Sequence, residues 1–201
     1  MGLKFIVTGY SRHGKDEVAA FLAKSMDSSF ESSSHWMLHN HLWELRGVAT
    51  DSGVESPLVV INKGGTEESE ELDYQTLEDM YEDRDNHREW WKDMIKEINT
   101  LNGLDYLGSN ILTAHDIYCG LRDFEELEAI KVWASEAGHT LMIIFVTAPY
   151  RVPVQKYDRE GGLTIIPSDC HLTIHNDSSI EQLHSMLQYY VDIDFDIATY
   201  S

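Results

Sequence analysis

The sequence Gly9-Tyr10-Ser11-Arg12-His13-Gly14-Lys15-Asp16 decides the fold of this chain. It matches the phosphate-binding pattern G-x-x-x-x-G-K-[ST] except at its last position, where Asp16 replaces a hydroxyl residue. The run 4–8 before it is apolar and β-prone, and the run 17–24 after it carries apolar residues at helical spacing. Because this motif requires a strand, a glycine loop and a helix start, the segment is predicted to bind a nucleoside triphosphate.

Each residue type in this loop has a physical role in holding phosphate. The two glycines let backbone N–H groups turn toward phosphate oxygens, and the helix N-terminus adds partial positive charge. Lys15 is a mobile cation that reaches the β- and γ-phosphates. The alternative, a turn that binds nothing, leaves the Gly14-Lys15 spacing to chance. The residues predicted to contact the nucleotide here are Gly9, Ser11, Arg12, His13, Gly14, Lys15, Asp16 and Glu17.

Asp16 stands where a Ser or Thr hydroxyl ordinarily ligates Mg²⁺. A carboxylate oxygen is also a ligand for Mg²⁺, directly or through water. The helix dipole equally favours an acid in the first helical turn, so a structural role is the alternative. Because a carboxylate beside phosphates is repulsive without a metal, we expect a strict Mg²⁺ requirement with Asp16 as the metal ligand.

The size and charge of the chain limit its class. Its 201 residues predict one α/β domain over 1–201, with a mobile insert at about 47–75 and a lid at about 150–163. The net charge of −20 disfavours non-specific nucleic-acid binding but leaves room for a local basic groove. No apolar run is long enough to span a membrane and no signal peptide is recognised, so we expect a cytoplasmic protein without membrane partners.

Strand and helix patterns alternate along the rest of the chain. Short strands are predicted near Phe30 and at 117–120, 140–146 and 172–174. Helices are predicted from the serines after Phe30 through Leu45, at 75–99 with a break near Asp85-Asn86, and at 106–113, 123–137 and 180–191. This alternation predicts an α/β fold, a parallel sheet covered by helices on both faces, with the site at the carboxyl ends of the strands.

A polar segment at 81–91 carries a second set of candidate residues. Arg84 and Arg88 are four residues apart, so a helix would place two guanidiniums on one face to grip a phosphate. Asp83 and His87 share that spacing and could hold a metal, a water or a hydroxyl group. The alternative is a surface helix laced with ion pairs.

Basic residues follow two of the predicted strands. Arg122 comes directly after 117–120 and is predicted to project into the cleft toward a phosphate or the acceptor; a salt bridge to Glu125 or Glu126 is the alternative. The lid segment, 150–163, carries cations that would close over transferring phosphates, or else belong to an ordinary solvated loop. These lid cations are Arg151, Lys156 and Arg159.

A hydroxyl-rich segment at 32–36 follows the second predicted strand. Ser33 and Ser34, with Trp36 beside them, are candidates for recognising an acceptor base or sugar. The two serines could equally cap the helix that follows.

Three segments carry a resemblance to a known family: Gly9–Asp16, the strand end 117–122 with the acidic helix after it, and 173–183. They look like bacteriophage P-loop nucleotide kinases of the thymidylate and deoxynucleoside-monophosphate kinase group, in which the Gly-Lys-Asp variant is typical. Residues 83–88 depart from the Arg-Gln-Gly-Thr pattern of phage deoxynucleotide kinases. They look more like the branch that phosphorylates 5-hydroxymethyluracil within phage DNA.

The resemblance implies ATP with Mg²⁺ as the donor and the cytoplasm of an infected host as the compartment. It implies that Arg122 and the lid cations stabilise the transferring phosphoryl group, and that Asp83 accepts a hydroxyl proton from a CH₂OH acceptor. The residues that it assigns to the acceptor are Asp83, Arg84, His87 and Arg88. A Walker B acid is missing after 117–120, since Asp116 opens that strand, so the second metal contact stays unassigned.

Three functions remain open at this point. The first is a kinase of hydroxymethyluracil in DNA, the second a kinase of free deoxynucleoside monophosphates (dNMPs), and the third a nucleotide-binding module without catalysis. The acidic composition suits the second better than the first. The oligomeric state is also open.

Overall fold

The computed structural model describes residues 2–42, 58–62, 69–74, 76–156 and 158–198. The chain divides into two compact units, the first made of Met1–Ser33 with Asn102–Ser201 and the second of Ser34–Leu101. Most of the predicted insert at 47–75 lies outside the described residues, so its mobility stays a prediction. In the described part of the chain, no helix is long and apolar enough to cross a membrane.

The strands and helices of the first unit follow the predicted order, whereas the strand pair at 58–73 in the second unit was not predicted. The strands are β1 (Leu3–Gly9), β2 (Phe30–Ser32), β3 (Leu58–Asn62), β4 (Ser69–Asp73), β5 (Ile117–Cys119), β6 (Thr140–Thr147) and β7 (Leu172–His175). The helices are α1 (Lys15–Ser25), α2 (Ser33–Met37), α3 (Leu77–Glu82), α4 (Arg88–Asn102), α5 (Tyr106–Ala114), α6 (Phe124–Glu136) and α7 (Ile180–Ala198). In place of the predicted helix through Leu45, the described residues form α2 and then a π-helical turn, Leu38–Leu42. At the other end of the chain, α7 continues past the predicted end at 191.

The first unit is built on a five-stranded sheet in the order β2-β5-β1-β6-β7. Every neighbouring pair is parallel, and Phe5 at the centre of β1 is in register with Ile117 and Met142. Strand β1 is almost fully buried because α1 and α7 cover one face and α5 and α6 the other. The predicted α/β fold with a parallel sheet flanked by helices is confirmed.

The core of the first unit ties the helices to the sheet. Val18 and Leu22 of α1 pack with Val7 and Ile144 of the sheet and with Leu187 of α7, all fully buried. Burial on this scale contributes on the order of 1.5–3 kcal/mol for each large apolar side chain. The carboxyl ends of β1, β5, β6 and β7 are therefore fixed relative to one another.

The second unit contains the antiparallel pair β3–β4 and the helices α2, α3 and most of α4. The Thr76 hydroxyl caps α3 by accepting a hydrogen bond from the Asp79 main-chain N–H, and the Asp79 carboxylate accepts one from the Thr76 N–H. A single 3₁₀ turn, Asp83–Asp85, then separates α3 from α4. The predicted break near Asp85-Asn86 is confirmed.

Candidate phosphate-binding site

The glycine loop joins the carboxyl end of β1 to the start of α1, as the sequence predicts. Gly9 and Gly14 have φ of +130° and +93°, a region that glycine enters without strain. A Cβ on Gly9 would lie 2.1 Å from the Val146 carbonyl oxygen, and one on Gly14 would lie 2.2 Å from Asn176 Nδ2. Both positions therefore require glycine to bring the loop backbone close to its neighbours.

Lys15 is a buried cation at the centre of this loop. Its side chain curls back so that Nζ donates to the Tyr10 carbonyl at 2.8 Å, and the residue is 8% exposed. Burial, and then the nearby Arg122 guanidinium, lower the pKa of Lys15 to about 8, although Cys119, Asp16 and Asp158 act in the opposite direction. Burial is thus the main reason that the charged form of Lys15 is disfavoured, and phosphate oxygens beside Nζ would favour that charged form.

The lowered pKa of Lys15 predicts that nucleotide binding near pH 8 takes up a proton. Phosphate oxygens beside the ammonium raise its pKa, so the fraction of Lys15 that is neutral at pH 8 is protonated on binding. ATP affinity should fall as the pH rises through 8, and the Lys15 contribution should be level below about pH 7. Calorimetry of ATP binding in two buffers of different ionisation enthalpy measures the uptake.

Lys15→Arg is the control for this titration, since a guanidinium stays charged throughout the range. The proton uptake at pH 8 should shrink in this variant toward the share due to ATP itself. Equal uptake by the wild type and Lys15→Arg would contradict the assignment to Lys15.

Asp16 lies in the first turn of α1 with its carboxylate next to the end of β5. The Cys119 thiol, on the last residue of β5, donates to Asp16 Oδ1 at 3.4 Å. Burial, and then the Asp16 carboxylate, raise the pKa of Cys119 well above its usual value, so this sulfur is a neutral thiol. Asp116, the residue before this strand, pairs with Lys4 at 2.9 Å instead. The acid next to the carboxyl end of β5 is therefore supplied by the loop residue Asp16.

Arg122 projects from the end of β5 onto the loop, together with an acid that the sequence reasoning missed. Its Nη2 donates to Ser11 Oγ at 2.9 Å and its Nη1 donates to Asp158 Oδ1 at 2.7 Å. Asp158 also accepts from the Ser11 main-chain N–H and hydroxyl. Burial would raise the pKa of Asp158, but hydrogen bonds from Arg122 and Ser11 outweigh it, so the pKa is lowered and the carboxylate is ionised.

His13 of the loop is held by hydrogen bonds from the residues that follow β6 and β7. The Ala148 main-chain N–H donates to His13 Nδ1 at 2.6 Å, and Asn176 Nδ2 donates to the His13 carbonyl at 2.9 Å. Burial, and then Lys15, lower the pKa of His13, so its ring is neutral at pH 7. His13 therefore contributes no charge at pH 7, and the positive charge beside the loop comes from Lys15 and Arg122.

The other residues predicted to bind nucleotide in the first unit are exposed or contact segments other than the glycine loop. Arg12 is exposed, and Arg151 is exposed with its guanidinium close to Gly14. Arg159 donates from Nε and Nη2 to the Val154 carbonyl within its own segment. Glu17 Oε1 lies 2.6 Å from His184 Nε2 on α7. Direct contact of these residues with a nucleotide stays a prediction.

Asp83 is the centre of a polar cluster in the second unit. It accepts from the Tyr74 hydroxyl at 2.6 Å and from Asn86 Nδ2, and its Oδ2 lies 3.0 Å from His87 Nε2. The Tyr74 hydrogen bond is the largest cause that lowers the pKa of Asp83. A carboxylate held in this way is well placed to orient His87.

The two arginines of this segment do not share one helix face, because the helix breaks between them. Arg84 lies in the 3₁₀ turn, donates to the Tyr81 carbonyl at 2.8 Å and stacks its guanidinium 3.9 Å from the centre of the Tyr81 ring. Arg88 opens α4 and donates to Asp85. The spacing argument assumed a continuous helix, so the expectation of one shared helical face is wrong, while their role with an acceptor stays a prediction.

The predicted acceptor residues after β2 fall on either side of the boundary between the units. Ser33 starts α2 and is buried, and a Cβ on Gly120 would lie 3.3 Å from its hydroxyl. Ser34 and Trp36 belong to the second unit, and both are partly exposed. Ser33 thus lies at the sheet edge beside β5, which keeps its predicted role with the acceptor open.

Comparisons with known proteins give a likeness to solved structures alone. No protein-family model matches the chain, and no curated protein matches it either. A shikimate kinase from Aquifex aeolicus is 11% identical with a TM-score of 0.40, and 96% of each chain is covered. A sugar kinase from Janibacter sp. HTCC2649 is also 11% identical, with a TM-score of 0.46 and 96% of each chain covered. Likeness at this level carries no conclusion about substrate or reaction.

Proposed function

We propose that this chain is an ATP-dependent phosphotransferase. The observation that carries the proposal is the convergence of the glycine loop, buried Lys15 and Arg122 at the carboxyl ends of the adjacent parallel strands β1 and β5. Main-chain N–H groups, an ammonium and a guanidinium are the donors that bind phosphate oxygens best. Catalysis of phosphoryl transfer consists mainly of such positioning and charge stabilisation.

The donor set also fits Mg²⁺·ATP. Asp16 offers a carboxylate in the first turn of α1, next to the residue that would hold the β- and γ-phosphates. Mg²⁺, when bound, neutralises charge on the phosphate oxygens. Lys15 would hold the phosphates in place, and Arg122 would offset the charge that develops on the transferring group.

Removal of the Asp16 carboxylate should raise the Mg²⁺ requirement. We expect Asp16→Ala to keep near-normal turnover at high Mg²⁺ but to need on the order of 10-fold more Mg²⁺ for half-maximal rate, as for loss of a ligand or its supporting group. Asp16→Ser restores the common motif residue and should lie close to the wild type. Mg²⁺ titrations of turnover at fixed ATP measure this, and full activity of Asp16→Ala at limiting Mg²⁺ would exclude the ligand role.

For the acceptor, we propose the hydroxymethyl group of 5-hydroxymethyluracil in DNA, in a phage-infected cell. The Asp83–His87 pair supports this choice, because a CH₂OH acceptor needs a group that takes its proton whereas a phosphate acceptor is already anionic. The second candidate is a pyrimidine dNMP, which the net charge of −20 favours.

An acceptor assay separates these functions. Radiolabelled ATP is incubated with DNA that contains hydroxymethyluracil, with unmodified DNA and with each dNMP. Label in the modified DNA alone supports the first candidate, and nucleoside diphosphate formation supports the second. Tight ATP binding without transfer to any acceptor would leave a nucleotide-binding module and overturn the phosphotransferase proposal.

The Asp83 cluster predicts a defect on the acceptor side only. Asp83→Asn should lower phosphate transfer on the order of 10²-fold, the usual contribution of a general-base system, and should leave ATP affinity unchanged. Glu82→Gln is the matched control, because Glu82 is the neighbouring exposed acid. Transfer rates and ATP dissociation constants are measured for both variants, and equal transfer rates would count against a role for Asp83.

A further inference from the structure

Asp158 of the lid segment makes contacts that resemble those of a bound phosphate. It lies in a π-helical turn, Asp158–Gly162, and its side chain is 0% exposed. One carboxylate oxygen accepts from the Ser11 main-chain N–H at 2.8 Å. The other accepts from the Ser11 hydroxyl at 2.9 Å and from Arg122 Nη1 at 2.7 Å. Both oxygens are thus held by donors of the phosphate-binding site.

These donors are the kind that recognise a phosphoryl group. A main-chain N–H from the glycine loop, a hydroxyl and a guanidinium surround one compact anion. Lys15 lies near enough for Asp158 to raise the pKa of its ammonium. A phosphate oxygen and the Asp158 carboxylate cannot both accept the same hydrogen bonds from Ser11.

We propose that Asp158 stands in for the terminal phosphate of the nucleotide, docks the lid segment on the glycine loop, and must leave when a triphosphate binds. This inference rests on the proposed binding of a triphosphate by the loop. When docked, the Asp158 carboxylate competes with the ligand for the same donors. The measured affinity for polyphosphate is therefore reduced by the fraction of molecules in which Asp158 is docked.

The remaining anchors of the lid segment allow its middle to be released while its ends stay in place. At the start, Asp177 accepts from the main-chain N–H groups of Tyr150 and Arg151. At the end, the Thr164 N–H donates to the Arg122 carbonyl at 2.9 Å, and Arg122 Nη1 donates to the Gly162 carbonyl at 3.4 Å. Asp158 lies between these two anchors, so its departure frees the part of the segment that covers Ser11.

Binding of inorganic tripolyphosphate tests the proposal without a base or a sugar. Asp158→Asn removes the charge with little change of shape and should tighten binding by about 10-fold if the docked form outnumbers the released form by about that factor. Glu160→Gln makes the same chemical change in the same turn, at an exposed acid whose nearest cation, Lys156, is 3.7 Å away. Glu160→Gln should bind like the wild type.

Unchanged or weaker tripolyphosphate binding by Asp158→Asn would overturn the inference, because Asp158 would then support the site. Lys15→Ala separates this result from failure of the proposed function. If Lys15→Ala abolishes binding while Asp158→Asn leaves it unchanged, only the inference fails. If tripolyphosphate and ATP bind equally well to the wild type and to Lys15→Ala, the proposed function fails as well.

A second measurement uses the wild-type protein and so does not depend on the folding of a variant. Arg159 is exposed next to Asp158, so trypsin cleavage after it reports release of the turn. Saturating tripolyphosphate should speed cleavage at Arg159 and leave cleavage at the exposed Lys24 of α1 unchanged. Slower or unchanged cleavage at Arg159 would contradict displacement of Asp158.

Discussion

Lys15→Ala should lower ATP affinity and turnover together, with a loss in turnover on the order of 10²–10³-fold. The side chain is buried within the glycine loop, and its ammonium is the flexible cation placed to follow the phosphates. Alanine removes that charge, and it suits the helical conformation of the first residue of α1. Calorimetric ATP binding and steady-state phosphate transfer measure the two losses.

Lys24→Ala is the matched control for this substitution, because Lys24 lies in the last turn of the same helix and is exposed. It should behave like the wild type in both assays. Unaltered ATP affinity and turnover in Lys15→Ala would remove the basis for assigning the loop to phosphate at all.

Gly9→Ala should cause a large loss of stability, much larger than that of Gly103→Ala. The added Cβ would lie 2.1 Å from the carbonyl oxygen and 2.8 Å from the nitrogen of Val146, both backbone atoms of the neighbouring strand β6. Positive φ adds strain of about 1 kcal/mol or more. Since β1 pairs with β6 along its whole length, neither backbone can move aside locally. We expect a loss of about 4 kcal/mol or more.

Gly103→Ala is the control that separates backbone strain from the clash. Gly103 also has a positive φ, +124°, but its Cβ would meet only Asp105 Oδ1 at 3.3 Å. It should lose about 1–2 kcal/mol, the cost of strain alone. Urea unfolding of both variants measures the difference, and equal midpoints would show that β1 and β6 adjust to the methyl group.

The fold of the first unit was largely predictable from its sequence because its strands are short apolar runs bounded by clear signals. Asp123 marked the start of α6, and its side chain does cap that helix by accepting from the main-chain N–H groups of Glu125 and Glu126. Gly138, with φ of +72°, marked the end of the same helix. These signals are local, so one sequence suffices to recognise them.

The candidate site was predictable only where its residues belong to one motif. Gly9 through Asp16 are contiguous, and Arg122 follows a recognisable strand. The contacts of Asp158 with Ser11 and of Asn176 with His13 have no local signal, because each joins residues more than a hundred positions apart. The face shared by Arg84 and Arg88 was predicted wrongly because four-residue spacing has meaning only within an unbroken helix.

The hydrogen bonds that hold His13 have a consequence for when the glycine loop takes its final shape during protein synthesis. The ribosome makes His13 more than a hundred residues before the groups that hold it from behind, the Ala148 N–H and the Asn176 amide. A nascent chain that stops before Asn176 carries the whole motif without its bracing. The loop should therefore reach its final shape only after Asn176 has been made.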